Sequence, residues 1–208
     1  MASKLMMEWE GLAADLRKRD ARLGKLIQKV GAPTVRLERD RFRALARSIL
    51  AQQLATSAAS AITKRFSDLE RPFPSPQTIL KLKPKSFQSC GVSGQKQTYL
   101  CELSRSWVKE FNGVRWGSLE DQIIIEKLTA VKGIGVWTAQ MFLIFSLGRP
   151  DVLPSGDFGV RKGVQLLYGL GAMPLPKEMP GLLKKWEGAS SVASWYVWRG
   201  LDQKILVD

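Results

Sequence analysis

The stretch Leu128-Thr129-Ala130-Val131-Lys132-Gly133-Ile134-Gly135-Val136-Trp137-Thr138-Ala139 decides how this chain is read. A helical apolar period stops near Thr129, two glycines bracket one apolar residue, and a second helix is expected to start near Val136. Glycine tolerates positive φ and lets a backbone come close to another molecule. The amides opening the second helix would point outward with the positive end of its dipole, which suits a phosphate. Gly-X-Gly alone also fits a plain turn between two helices, so the surrounding sequence has to carry the reading.

Helical spacing continues on both sides. Trp9, Leu12, Leu16, Leu23, Leu26, Ile27 and Val30 recur every three or four residues and stop at Gly31 and Pro33. Phe42, Leu45, Ala46, Ile49 and Leu50, then Ala58, Ala59, Ile62 and Phe66, read as two helices or one bent helix. Pro72, Pro74 and Pro76 mark a turn; the period resumes over Pro76–Leu82 and Gln95–Phe111, and again over Leu119–Thr129. Thr34-Val35-Arg36-Leu37 is the best strand candidate and has no second strand to pair with. Seven tryptophans in so helical a chain point to core filling between helices. The expected fold is all-α, a single domain over residues 1–208 with two helical lobes, a cleft between them, and a hairpin at about residues 119–148.

Composition narrows the chemistry. With 208 residues and 45% hydrophobic content, the chain can build a real core. The net charge of +13 is self-repelling unless a polyanion is the usual partner; nucleic acid is the commonest, an anionic membrane surface the alternative. No apolar run is long enough to span a bilayer, and Met1 to Glu10 lacks a signal-peptide layout. The expected location is therefore inside the cell: nucleus if eukaryotic, cytoplasm (nucleoid) if prokaryotic. Cys90 and Cys101 make no disulfide framework and cannot supply the four thiolates of an iron–sulfur cluster. Histidine is absent, which excludes His-based zinc sites, Ser–His–Asp triads and His general bases. Catalysis must rest on a carboxylate, lysine, serine, cysteine or tyrosine.

About twenty residues beyond the hairpin comes Arg149-Pro150-Asp151-Val152-Leu153-Pro154-Ser155-Gly156-Asp157-Phe158-Gly159-Val160-Arg161-Lys162. Pro154 to Gly156 form a turn, and Asp157 stands where a helix N-cap is expected. Alone, such an aspartate is far more often a cap than a catalyst. The whole order is more specific: hairpin, apolar helix (Met141, Phe142, Ile144, Phe145), Pro-containing loop, then Asp at a new helix start. It resembles the helix-hairpin-helix/Gly-Pro-Asp DNA glycosylase superfamily, most closely its alkylation-repair branch, DNA-3-methyladenine glycosylase II. Ile49-Leu50-Ala51-Gln52-Gln53-Leu54 and Val192-Ala193-Ser194-Trp195-Tyr196-Val197-Trp198-Arg199 extend the resemblance, which runs from Leu23 to Leu201.

The resemblance implies roles. Asp157 would be the catalytic carboxylate, stabilising the sugar cation and orienting or deprotonating water. Trp137 stands where bifunctional members carry a nucleophilic lysine, and indole cannot attack a sugar, so the enzyme would be monofunctional. Its face would form the base pocket, stacking on a cationic methylated purine; hairpin packing is the competing role. Leu54 would fill the gap left by a flipped nucleotide and Gln53 contact the opposite strand, whereas helical spacing alone makes Leu54 a core leucine. Lys132, Gly133, Gly135, Val136, Thr138, Arg161 and Lys162 would contact DNA. The carbonyls of Thr129, Val131 and Ile134 would hold a structural Na⁺ or K⁺, with no other cofactor. The implied partner is damaged double-stranded DNA and no membrane, bound by a monomer.

One segment departs from the family pattern. Gly188-Ala189-Ser190-Ser191 replaces a stretch that usually holds Pro, an aromatic, Arg and Ser. This implies an altered base pocket and a narrow spectrum of cationic methylpurines. Two other functions compete: a non-catalytic hairpin module that only grips phosphates, and a bifunctional glycosylase/lyase for oxidised bases. Asp157 disfavours the first, and Trp137 with the missing cysteine cluster the second.

Overall fold

The computed structural model describes residues 4–54 and 56–207, with the backbone alone at Thr56. In chain order, α1 (Lys4–Arg19) and α2 (Ala21–Val30) are followed by α3 (Arg41–Ala51), α4 (Thr56–Ser67), α5 (Pro76–Lys81), α6 (Pro84–Ser89) and α7 (Gly94–Ser106). Then come α8 (Asp121–Thr129), α9 (Val136–Phe142), α10 (Phe158–Tyr168), α11 (Met179–Leu182) and α12 (Ser190–Asp202). Wider π turns occupy Trp107–Phe111 and Leu143–Leu147. No strand occurs among the described residues, Thr34–Leu37 included. Nor is any described helix long and apolar enough to cross a membrane.

The chain divides into two compact units, Met1–Leu37 with Leu143–Asp208, and Glu38–Phe142. In the first, the single rhythm expected from Trp9 to Val30 is two helices. Asp20 adopts extended backbone (φ −137, ψ 101), and its side chain accepts the amides of Arg22 and Leu23, so it caps α2 and ends α1. The hydrophobic period cannot register this break, because buried Leu16 and Leu23 lie on the inner face either way. Buried Asp20 also takes the Tyr168 hydroxyl, and Trp186 Nε1 donates to that hydroxyl at 3.1 Å. Burial and the Asp20 carboxylate hold the Tyr168 phenol well above its ordinary value.

Two glycines set how α10 meets α12. A Cβ at Gly163 would lie 2.2 Å from Val197 Cγ1, and one at Gly159 3.2 Å from Trp198 Cδ1. Glycine inside a helix costs about 1 kcal/mol against alanine. Here it allows an approach that brings α12 against the first turns of α10.

The second unit packs Leu45, Ile49 and Leu50 of α3 with Phe66, Ile79, Phe87, Leu100 and Leu103. At one end Phe111, Trp116 and Phe142 make edge-on ring contacts at 5.2 to 5.4 Å. The period over 42–66 is two helices, α3 and α4. Helix α6 was not expected: Phe87 is its one buried residue, too little for a period to show.

Candidate active site and nucleic-acid interface

The hairpin is built by inward apolar residues and an outward tip. Leu128, Val131 and Ile134 are buried, while Lys132, Gly135, Val136 and Trp137 are exposed. Helix α8 ends through Val131 N to Leu128 O (3.1 Å), a further turn runs from Ile134 N to Val131 O (3.0 Å), and Gly135 O accepts Ala139 N to open α9. Gly133 is required twice over. Its φ of +95 disfavours any side chain, and a Cβ there would sit 2.2 Å from Tyr99 Cγ. Val136 (54% exposed) and Trp137 (43%) stand out from the hairpin tip in the same exposed stretch as Lys132. Thr138 differs from its neighbours. Its side chain is buried within the hairpin, because it falls on the inner face of α9 with Ala139 and Phe142.

Helix α3 ends beside this hairpin within the same unit. Gln52 Nε2 donates to Gly133 O at 2.8 Å, and Lys96 Nζ donates to Leu50 O at 2.7 Å. Burial holds the Lys96 ammonium below its ordinary value. Gln53 takes a left-handed conformation (φ 56), rare for a residue other than glycine, and Leu54 N returns to Ala51 O. Leu54 is 38% exposed, so the core position that helical spacing alone suggested does not hold. The helix has already ended at Ala51. Ala51, Gln52, Gln53, Leu54 and Trp137 line an open cavity of ≈ 590 Å³. The indole of Trp137 therefore faces the Leu54 loop instead of filling the core.

Asp157, in the other unit, caps α10 as its position suggested. The turn before it closes by Asp157 N to Pro154 O (2.9 Å). Asp157 Oδ1 accepts the Val160 amide at 2.8 Å and Trp198 Nε1 at 2.9 Å. Phe158, the next residue, is 68% exposed. The loop leading in is fastened by the unusual serine segment. Val152 N donates to Ser191 Oγ (2.9 Å), Ser191 N to Pro150 O (3.0 Å) and Ser190 N to Asp151 Oδ1 (3.0 Å). Partial burial pushes the Asp151 carboxyl up. Hydrogen bonds from Ser190 and from the Gly188 amide, with Arg19 nearby, outweigh this and hold it below its ordinary value. Ala189, Ser190 and Ser191 are buried, and their hydrogen bonds brace the loop that leads to Asp157. Its small side chains let α12 begin against the Pro150–Val152 backbone.

Residues 46–188 match the HhH-GPD superfamily of base excision DNA repair proteins. The chain belongs to this superfamily. It is 30% identical to DNA-3-methyladenine glycosylase 1 of Schizosaccharomyces pombe over 86% of its own length and 80% of the relative's. The fold superposes on the S. pombe 3-methyladenine DNA glycosylase solved with abasic DNA, with TM-score 0.86, 29% identity, and 92% and 97% of the two chains covered. It also superposes on a DNA-3-methyladenine glycosidase of Bacillus halodurans, with TM-score 0.80, 33% identity, and 93% and 90% covered.

As in sequence, so in the structure of this HhH-GPD protein, the hairpin tip and Asp157 stand out. Arg161 and Lys162 are half-buried on α10, and Arg161 Nε is engaged with Pro174 O at 2.7 Å. The sequence reading missed three residues: Trp198, which bonds Asp157; Gln52, which bonds the hairpin; and Phe158. The spacing Gly159-X-X-X-Gly163 was the available signal for a close partner helix. Among the described residues no group of three or more His, Cys, Asp or Glu could hold a metal. Of the Thr129, Val131 and Ile134 carbonyls expected to face a cation, that of Val131 accepts the Ile134 amide at 3.0 Å.

Proposed function

We propose that this chain flips an alkylated purine out of duplex DNA and hydrolyses its N-glycosidic bond with Asp157, leaving an abasic site. The activity is that of a monofunctional DNA-3-methyladenine glycosylase. The carrying observation is the Asp157 carboxylate, fixed by the Val160 amide and the Trp198 indole at the start of α10. Positive charge develops on the sugar as the bond breaks, and a preorganised carboxylate stabilises it without having to reorient. The same group orients water or takes its proton for attack on the sugar. Asp20 also caps a helix and takes a second donor but is buried, whereas Asp157 is only half-buried and keeps a carboxylate face open to a substrate.

The remaining roles follow the residues. Lys132 and the Gly133–Val136 tip grip the backbone of damaged double-stranded DNA, with a monovalent cation on the Thr129, Val131 and Ile134 carbonyls. Arg161 and Lys162 add phosphate contacts. Thr138 supports the hairpin from inside. Leu54 fills the vacated stack and Gln53 meets the opposite strand, supported by the exposure of Leu54 in a loop after α3. Trp137 offers a π face for a cationic methylpurine, and where other members place an amine it offers none. The protein works as a monomer, in the nucleus or nucleoid where its substrate lies.

Incubation with duplexes holding 3-methyladenine, 7-methylguanine, hypoxanthine or ethenoadenine, followed by mild alkali, tests this reading. The methylpurine duplexes are expected to break only after alkali, and borohydride to trap no enzyme–DNA adduct. Breaks without alkali, or a trapped adduct, would show an amine attacking the sugar. Absence of abasic sites from every lesion would leave a binding module.

A further inference from the structure

We infer that Gln52 is a positioning residue, whose side-chain amide locks the Leu54 loop to the hairpin so that wedge insertion and backbone grip act as one. The inference rests on reading Leu54 as the wedge. Gln52 and Gly133 are 81 residues apart in sequence, yet Gln52 Nε2 lies 2.8 Å from Gly133 O. That carbonyl belongs to the hairpin tip, and the Tyr99 ring fills the space a Cβ on its residue would need. Tyr99 is in turn held through its hydroxyl by Gln95 Nε2 at 2.7 Å. The helix end just before the loop is tied by Lys96 Nζ on Leu50 O.

Such bracing has a physical reason. Gln53 sits at φ 56, a conformation unfavourable for a residue with a Cβ, and persists only where the surroundings hold it. Leu54 is exposed and would otherwise be free to swing with the loop. A wedge must push against a stacked duplex, so its base has to be anchored to something that grips the same DNA. The Gln52–Gly133 bond supplies that anchor. Deleting it should leave chemistry at an already extruded base little changed while weakening extrusion itself.

The experiment measures single-turnover excision of 7-methylguanine from three substrates: a Watson–Crick duplex, the same lesion in a mismatch, and a single strand. Wild type is compared with Gln52→Met, Gln52→Glu, Leu54→Ala and the Gln52→Met/Leu54→Ala double variant, each checked by thermal unfolding. Gln52→Met and the isosteric Gln52→Glu are expected to lose roughly fivefold on the paired duplex, the worth of one neutral hydrogen bond. The defect should shrink on the mismatch and the single strand. The double variant should be no slower than Leu54→Ala alone, since both act through one step. If Leu54→Ala shows the substrate bias but the Gln52 variants lose equally on every substrate, or their losses multiply in the double variant, the clamp is overturned alone. An equal loss for Leu54→Ala on every substrate overturns the wedge reading and the clamp with it.

Discussion

Trp198 Nε1 donates a 2.9 Å hydrogen bond to the same Asp157 oxygen that caps α10 through the Val160 amide. One carboxylate oxygen is thus held by its own helix and by a side chain of α12. The close approach depends on Gly159 and Gly163. Trp198→Phe keeps a ring that can pack near Phe145 but removes the donor. Losing one hydrogen bond to a charged group should slow single-turnover excision roughly tenfold, with DNA affinity near wild type. An unchanged rate would show that the cap alone orients Asp157.

Gly133 should tolerate no side chain. Gly133→Ala forces a left-handed alanine and drives its Cβ into Tyr99, and the two costs together should destabilise the protein by roughly 2–4 kcal/mol. Trimming the obstacle with Tyr99→Ala in the same background should recover the steric part of that loss and not the conformational part. Equilibrium urea unfolding of the single and double variants separates the two.

The serine segment makes a prediction about folding. Ser191→Ala leaves the buried Val152 amide without its acceptor and should cost about 1–3 kcal/mol. Asp151 gives the same brace an acid limit. Its folded value lies below the ordinary one, so its contribution is present above the ordinary aspartate range and is lost as pH falls through the folded value. Asp151→Asn should flatten that acid limb of the stability profile, read by thermal unfolding as the pH is lowered through and below the ordinary aspartate range. An unaltered acid limb would remove Asp151 from the brace.

A net charge of +13 predicts how DNA affinity responds to salt. Log affinity for undamaged duplex should fall linearly with log salt, at a slope near −0.9 per phosphate neutralised. Lys132→Ala should make the slope shallower by about one contact, measured by fluorescence anisotropy across a salt series. A flat response would point to a partner other than DNA.

What was legible in the sequence was whatever local chemistry forces. Gly133 announces a backbone conformation, and Asp157 after Pro154-Ser155-Gly156 announces a helix start, because turns and caps are written over a few residues. The helix period was legible too, except where a polar cap interrupts it without disturbing the inner face, as at Asp20. Trp198 and Gln52 were not legible, since their partners lie 41 and 81 residues away and nothing local to either specifies them. Leu54 shows the limit of periodicity from the other side. Its spacing continues that of α3, but the chain has left the helix at Ala51, and the side chain the pattern would bury is exposed.

The central claim is that the Asp157 charge breaks the glycosidic bond, and Asp157→Asn tests it most directly. Asparagine keeps the size of the side chain and an oxygen that can accept the Val160 and Trp198 donors, so fold and cap should survive. What it removes is the negative charge facing the sugar cation. The measurement is single-turnover excision of 7-methylguanine from duplex DNA, with affinity for an abasic-site duplex measured alongside. The rate should fall by about a hundredfold or more while affinity stays near wild type. Excision at close to the wild-type rate by Asp157→Asn would contradict the account.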